Sequence, residues 1–139
     1  MIKKEFKYVT VWSEESDPDI LYSSYTSNLE IDINIARELI NDRLEFSKGQ
    51  SVYVLIDFTH IKSVTKEARD YMNSPEGGLK GILGGAFLSN SIVATLFINL
   101  HLKLTNPAVP AKFFTNKQEA VKWLKKIKIK NTQLVTQSS

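Results

Sequence analysis

Asp57, Thr59, His60, Ser63 and Thr65 crowd into one short stretch and offer a carboxylate, an imidazole and three hydroxyls. A carboxylate or imidazole next to a hydroxyl can draw off its proton, but this loop lacks the groups that would make it a catalytic centre. Asp57 closes the apolar run Val52-Tyr53-Val54-Leu55-Ile56, which reads as a buried strand. In an open α/β sheet the segment after such a strand is where ligands and partners meet the fold. No serine stands in a Gly-x-Ser-x-Gly elbow, so a Ser-His-Asp hydrolase gains little support. Each group also has a structural use. Thr65 precedes a helical run and can cap it by accepting a first-turn N–H, worth about 1 kcal/mol, or it can serve as a regulatory hydroxyl. Asp57 can accept from loop amides, or it can position a partner or ligand.

His60 and His101 fall in different elements, and neither has companions at metal-ligand spacing. With no cysteine in the chain, disulfides, thiol catalysis and cysteine–metal sites drop out together. Gly77, Gly78, Gly81, Gly84 and Gly85 match neither the dinucleotide fingerprint nor the Walker pattern, so flexibility and close backbone packing account for them. No metal or cofactor is expected.

The elements that must hold these groups follow from hydrophobic period. Residues 6–12 alternate apolar and polar side chains, and 20–25 reads as the hairpin partner across a polar turn. Over 33–46, Ala36, Leu39, Ile40 and Leu44 recur at helical spacing, with Arg37, Glu38, Asp42 and Arg43 opposite. Asp32 or Asn34 can cap that helix, and Gly49 marks its exit. Strand 52–57, helix 66–73, strand 82–88, helix 92–104 and strand 111–114 follow. Thr115-Asn116-Lys117-Gln118 has the capping-box pattern and opens a helix with Ala120, Trp123, Leu124 and Ile127 inside. The expectation is an α/β mixed sheet of about five strands, an N-terminal hairpin and then alternating α and β, with helices covering the sheet. A single domain over residues 1–130 and a disordered tail over 131–139 complete it.

This order, with the details of its second half, resembles over residues 6–127 the SpoIIAA-like fold shared by STAS domains and CRAL-TRIO lipid-transfer domains, and is most similar to small bacterial STAS-like proteins of unknown function. Leu55-Ile56-Asp57-Phe58-Thr59-His60-Ile61 is similar to the strand and Asp before the STAS phosphorylation loop, and residues 109–124 to the family's closing strand, capping box and Trp-Leu helix. STAS regulators carry a phosphorylated serine at the start of the next helix. In register this chain has Lys66 or Glu67 there, which cannot accept phosphate in that way.

The helix at 92–104 carries the sharpest clue to a partner. Val93, Leu96, Phe97, Leu100 and Leu104 make one apolar stripe, while Ile92, Ile98 and Leu102 lie off it. A helix apolar most of the way round has cover on a second side: a neighbouring helix, a second subunit or an apolar ligand. Subunit contact ranks above lipid, because CRAL-TRIO domains are much larger. The expected contact surface therefore joins Asp57, Thr59, His60, Ser63 and Thr65 with Ser89, Asn90, Ser91, Ile92, Ile98 and Leu102. A non-catalytic, STAS-like binding or regulatory module is the expected function, with a protein partner or a homodimer, and a small carrier of an apolar or lipid ligand is the alternative.

Net charge of +3 and a pI near 9.0 do not argue for nucleic acid. Lys117, Lys122, Lys125, Lys126, Lys128 and Lys130 form a basic tail without interleaved aromatics, so contact with an anionic membrane surface stays open and base stacking does not. No window suits a membrane span, and a cytoplasmic location is expected.

Overall fold

The computed structural model describes residues 1–90 and 109–138, with side chains through 132. Three strands open the chain, β1 (Ile2–Glu5), β2 (Val9–Glu14) and β3 (Asp17–Tyr25). They pair antiparallel in sequence order. The short β4 (Glu30–Ile31) leads into α1 (Ile33–Ser47), and β5 (Val52–Asp57) follows. Next come β6 (Ser63–Val64), α2 (Lys66–Met72), β7 (Ile82–Leu88), β8 (Ala111–Phe114) and α3 (Lys117–Ser138). The main sheet runs β1-β2-β3-β5-β7-β8, and β4 pairs with β6 in a separate two-stranded ladder. Strands β3, β5, β7 and β8 are mutually parallel, so their carboxyl ends share one edge.

The sheet has six strands where the sequence period predicts about five. The additional one is β1, with all four residues exposed. Its Lys3, Lys4 and Glu5 leave no apolar alternation to read, and charges along an outer strand discourage edge-to-edge pairing.

Alternation along the strands divides the core into two clusters, one per face. Val11, Leu21, Tyr25, Val52 and Val54 pack with Ala36 and Leu39 of α1 and Ala68 of α2. Ile20, Tyr22, Tyr53, Leu55 and Ala86 pack with Ala120 and Leu124 of α3. Asp32 caps α1, its Oδ1 accepting the Ile35 N–H at 2.9 Å. The predicted capping box at Thr115 shifts by one residue: Asn116 Oδ1 accepts the Glu119 N–H at 3.0 Å. The tail expected from residue 131 begins inside α3, which continues to Ser138. Asn131 Nδ2 donates to Tyr53 Oη at 2.9 Å, tying that extra turn to the sheet.

Arg43 corrects the reading of α1. It is only 6% exposed, although the sequence places it on the polar face. Its Nη2 donates to the carbonyls of Gly78 and Lys80, at 3.2 and 2.9 Å, so α1 holds the turn between α2 and β7. Burial lowers its pKa from the ordinary value, with the nearby Tyr25 hydroxyl acting the other way.

Burial raises the Tyr25 hydroxyl well above its ordinary pKa of 10.0, while Arg43 works in the opposite direction. The folded protein therefore keeps this proton after the unfolded chain has lost it. The stabilising contribution is complete below pH 10.0 and is lost as pH rises above that value. The slope is about 1.4 kcal/mol per pH unit. Melting temperatures between about pH 9 and pH 11 should fall more steeply for the wild type than for Tyr25→Phe. Equal slopes would mean that Tyr25 is not buried as described.

Candidate interaction surface

The shared carboxyl edge gathers the loops after β3, β5, β7 and β8. Asp57 ends β5, and its Oδ1 accepts from the Thr59 N–H at 2.8 Å and from the Thr59 hydroxyl at 2.6 Å. This is an Asx turn, in which a strand-end carboxylate satisfies amides the ladder has abandoned. Asn90 Nδ2 donates to the Thr59 carbonyl at 3.3 Å, so the ends of β5 and β7 are bridged through this turn. Phe58 N donates to Leu88 O and Ser89 N to Phe114 O, both at 2.9 Å, which carries the linkage on to β8.

The loop after β3 is fastened from the other side. Asn28 N donates to His60 O and Lys62 N to Leu29 O, both at 2.8 Å. The β4–β6 ladder then pairs Glu30 with Ser63 and Ile31 with Val64. Thr65 N donates to Ile31 O at 2.9 Å, and its Oγ1 accepts the Ala68 N–H at 3.2 Å. Thr65 therefore occupies the capping position that the sequence allows it, and Asp57 accepts the loop amide expected of it. His60, Ser63 and Thr65 remain exposed, while Asp57 and Thr59 are half-buried.

Of the residues predicted for the surface, Asp57, Thr59, His60, Ser63, Thr65, Ser89 and Asn90 come together along this edge. Ser91, Ile92, Ile98 and Leu102 lie outside the described residues, as do His101 and the expected helix at 92–104. Among the described residues no three of His, Cys, Asp and Glu converge as a metal site would require. No described helix is long and apolar enough to cross a membrane.

An aromatic cluster lies beneath the same edge, on the α1/α2 face, and sequence reading missed it. The Tyr25 and Phe58 rings meet edge-on at 5.3 Å, and Phe58 lies 5.7 Å from Phe87 and 5.9 Å from Phe113. Phe87 and Phe113 stack at 4.9 Å, because β7 and β8 place them side by side in register. Phe87 follows the apolar-run signal of β7, but its partners depend on strand order.

A family model described as a domain of unknown function, DUF7793, matches residues 12–128. The chain belongs to the DUF7793 family. The matched span of this DUF7793 protein runs from the middle of β2 to the Lys128 turn of α3, so it takes in both faces and the carboxyl edge. Among solved structures it is similar to an uncharacterised DUF3478 protein with a SpoIIAA-like fold from Shewanella loihica PV-4. That likeness has a TM-score of 0.60 at 18% identity, covering 84% of this chain and 91% of the other. It establishes the SpoIIAA-like architecture of the fold. No curated protein matches the chain.

Asp57→Ala should loosen this edge without unfolding the domain. Thr59 would lose both bonds to Oδ1, at a cost of about 1–2 kcal/mol. Amide exchange at Thr59 and Ile61 should accelerate while amides in β3 and β5 keep their protection. Unchanged exchange at Thr59 would show that the turn does not depend on Asp57.

Proposed function

We propose that this DUF7793 protein is a non-catalytic binding module that acts through protein contact at the carboxyl edge, with a second copy of the chain as its first candidate partner. The carrying observation is the way backbone and side-chain hydrogen bonds lock three loops together while His60, Ser63 and Thr65 stay exposed. A rigid polar surface loses little conformational freedom on association, which favours contact. The first positions of α2 support a module without a phosphate switch: Thr65 is committed to the cap, and Lys66 and Glu67 follow. A cytoplasmic setting belongs to the same reading, since a fold without cysteine draws nothing from an oxidising compartment.

Light scattering over a concentration series tests the self-pairing. The mass should rise toward that of a dimer, and His60→Glu with Ser63→Glu should return it to monomer through like-charge repulsion. A monomer at every concentration sinks it.

The half-buried Phe58, Phe87 and Phe113 favour one second reading, a carrier of an apolar or lipid ligand. Native mass spectrometry of protein purified from cells should then show a retained acyl species. Clean protein that does not respond to added fatty acid removes that reading.

A further inference from the structure

We propose that the outward face of α3 is a docking surface for anionic lipid headgroups, separate from the carboxyl edge. Six lysines and one glutamate give α3 a net charge of +5, against +3 for the whole chain, so the remainder of the protein is net −2. The molecule is thus a mildly acidic body with one strongly basic helix, which orients it toward an anionic plane.

Lys117 lies over the Tyr22 ring at 5.8 Å, and the other five lysines of α3 divide into two groups. On the flank toward β3, Lys128 Nζ donates to Asp17 and Asp19 at 2.8 and 2.6 Å, and Lys125 lies 4.0 Å from Asp17. Lys122, Lys126 and Lys130 are exposed on the outward side and form no ion pair among the described residues. Their spacing of four residues sets them about 6 Å apart along the axis. Like charges at that spacing weaken a helix, and a polyanionic surface relieves the repulsion.

Ile129 selects lipid over nucleic acid. It lies on the same outward side and is 59% exposed. A phosphate backbone gives such a side chain nothing, whereas the headgroup layer lets it bury apolar surface. The only aromatic residue of α3, Trp123, packs against Phe114 at 5.7 Å and does not serve as a base-stacking platform.

Cosedimentation of the full chain with phosphatidylcholine vesicles, with and without phosphatidylserine, tests this, with duplex DNA as a parallel probe. Binding should require phosphatidylserine and weaken as salt rises. Each lysine near an anionic surface is worth about fivefold, so Lys122→Gln, Lys126→Gln and Lys130→Gln together should lower affinity on the order of 100-fold. That variant should melt at or above the wild-type temperature, because it removes only repulsion. Ile129→Ser should weaken vesicle binding a few-fold and leave any DNA binding unchanged. Failure to bind phosphatidylserine vesicles overturns the proposal. So does binding that needs no phosphatidylserine, or a preference for duplex DNA that survives Ile129→Ser.

Discussion

Gly78→Ala should destabilise this domain by about 3 kcal/mol, as expected when a backbone must move to admit a side chain. A Cβ at this position would stand 1.8 Å from the Met72 carbonyl oxygen and 2.4 Å from its carbonyl carbon. Neither atom can rotate away, because both belong to the last turn of α2. The Gly78 N–H donates to Tyr71 O at 3.0 Å, and the Gly78 carbonyl accepts from buried Arg43. Shifting the turn therefore strains the α2 exit and the guanidinium together. For a chain of this length the melting temperature should drop by roughly 10 °C. Gly49→Ala provides the comparison. Nothing lies within 4 Å of a Cβ there, and only the φ of +74° resists it. That variant should cost about 1 kcal/mol. If the two variants melt together, the turn is not packed against α2 as described.

Leu124→Ala should cost about 3 kcal/mol, the middle of the range for emptying a leucine site in a close-packed core. Leu124 is 0% exposed and belongs to the cluster that joins α3 to Ile20, Tyr22, Tyr53 and Leu55. α3 seats this closely because Gly84 of β7 lies beneath it, where a Cβ would stand 2.5 Å from Ile127 Cδ1. With so close a backbone approach, the cavity left by Leu124 has little room to collapse. Ile129→Ala, on the outward side of the same helix, should change stability by no more than about 0.5 kcal/mol. Chemical denaturation of the two variants gives the contrast directly. A small loss for Leu124→Ala would mean that α3 is not packed on the sheet in this register.

Lys128 sits at the far flank of that helix and spans the interface as a charge rather than as packing. Burial works to lower its pKa, but the hydrogen bonds to Asp17 and Asp19 prevail and raise it above the ordinary lysine value. The folded pKa exceeds the unfolded one, so this contribution is complete below pH 10.5 and fades as pH rises beyond it. Its loss adds to the alkaline slope expected from Tyr25.

Strands β2, β3, β5, β7 and β8 were legible because apolar runs and alternation are local signals, and the Thr65 cap was legible from a hydroxyl standing just before a helical run. Arg43 was misplaced although its spacing held the answer: Ala36, Leu39, Ile40, Arg43 and Ser47 recur at helical intervals on the buried side. A charge on that stripe reads as an interruption until two carbonyls from the turn at Gly78 and Lys80 are seen to accept from its Nη2. β1 was illegible for the reverse reason. It is held by backbone pairing to β2, and its exposed side chains leave no imprint of the pairing.

The chain's own residue order determined the periods, the caps, the lack of cysteine and the run of lysines at the end. Which lysines find partners was decided only in three dimensions. Lys128 reaches Asp17 across 111 positions because α3, packed over β5, β7 and β8, brings this side chain to the start of β3, while Lys122, Lys126 and Lys130 on the same helix face outward. Period is written by neighbours a few residues apart. Pairing between elements depends on strand order, and strand order is fixed by how whole faces exclude water.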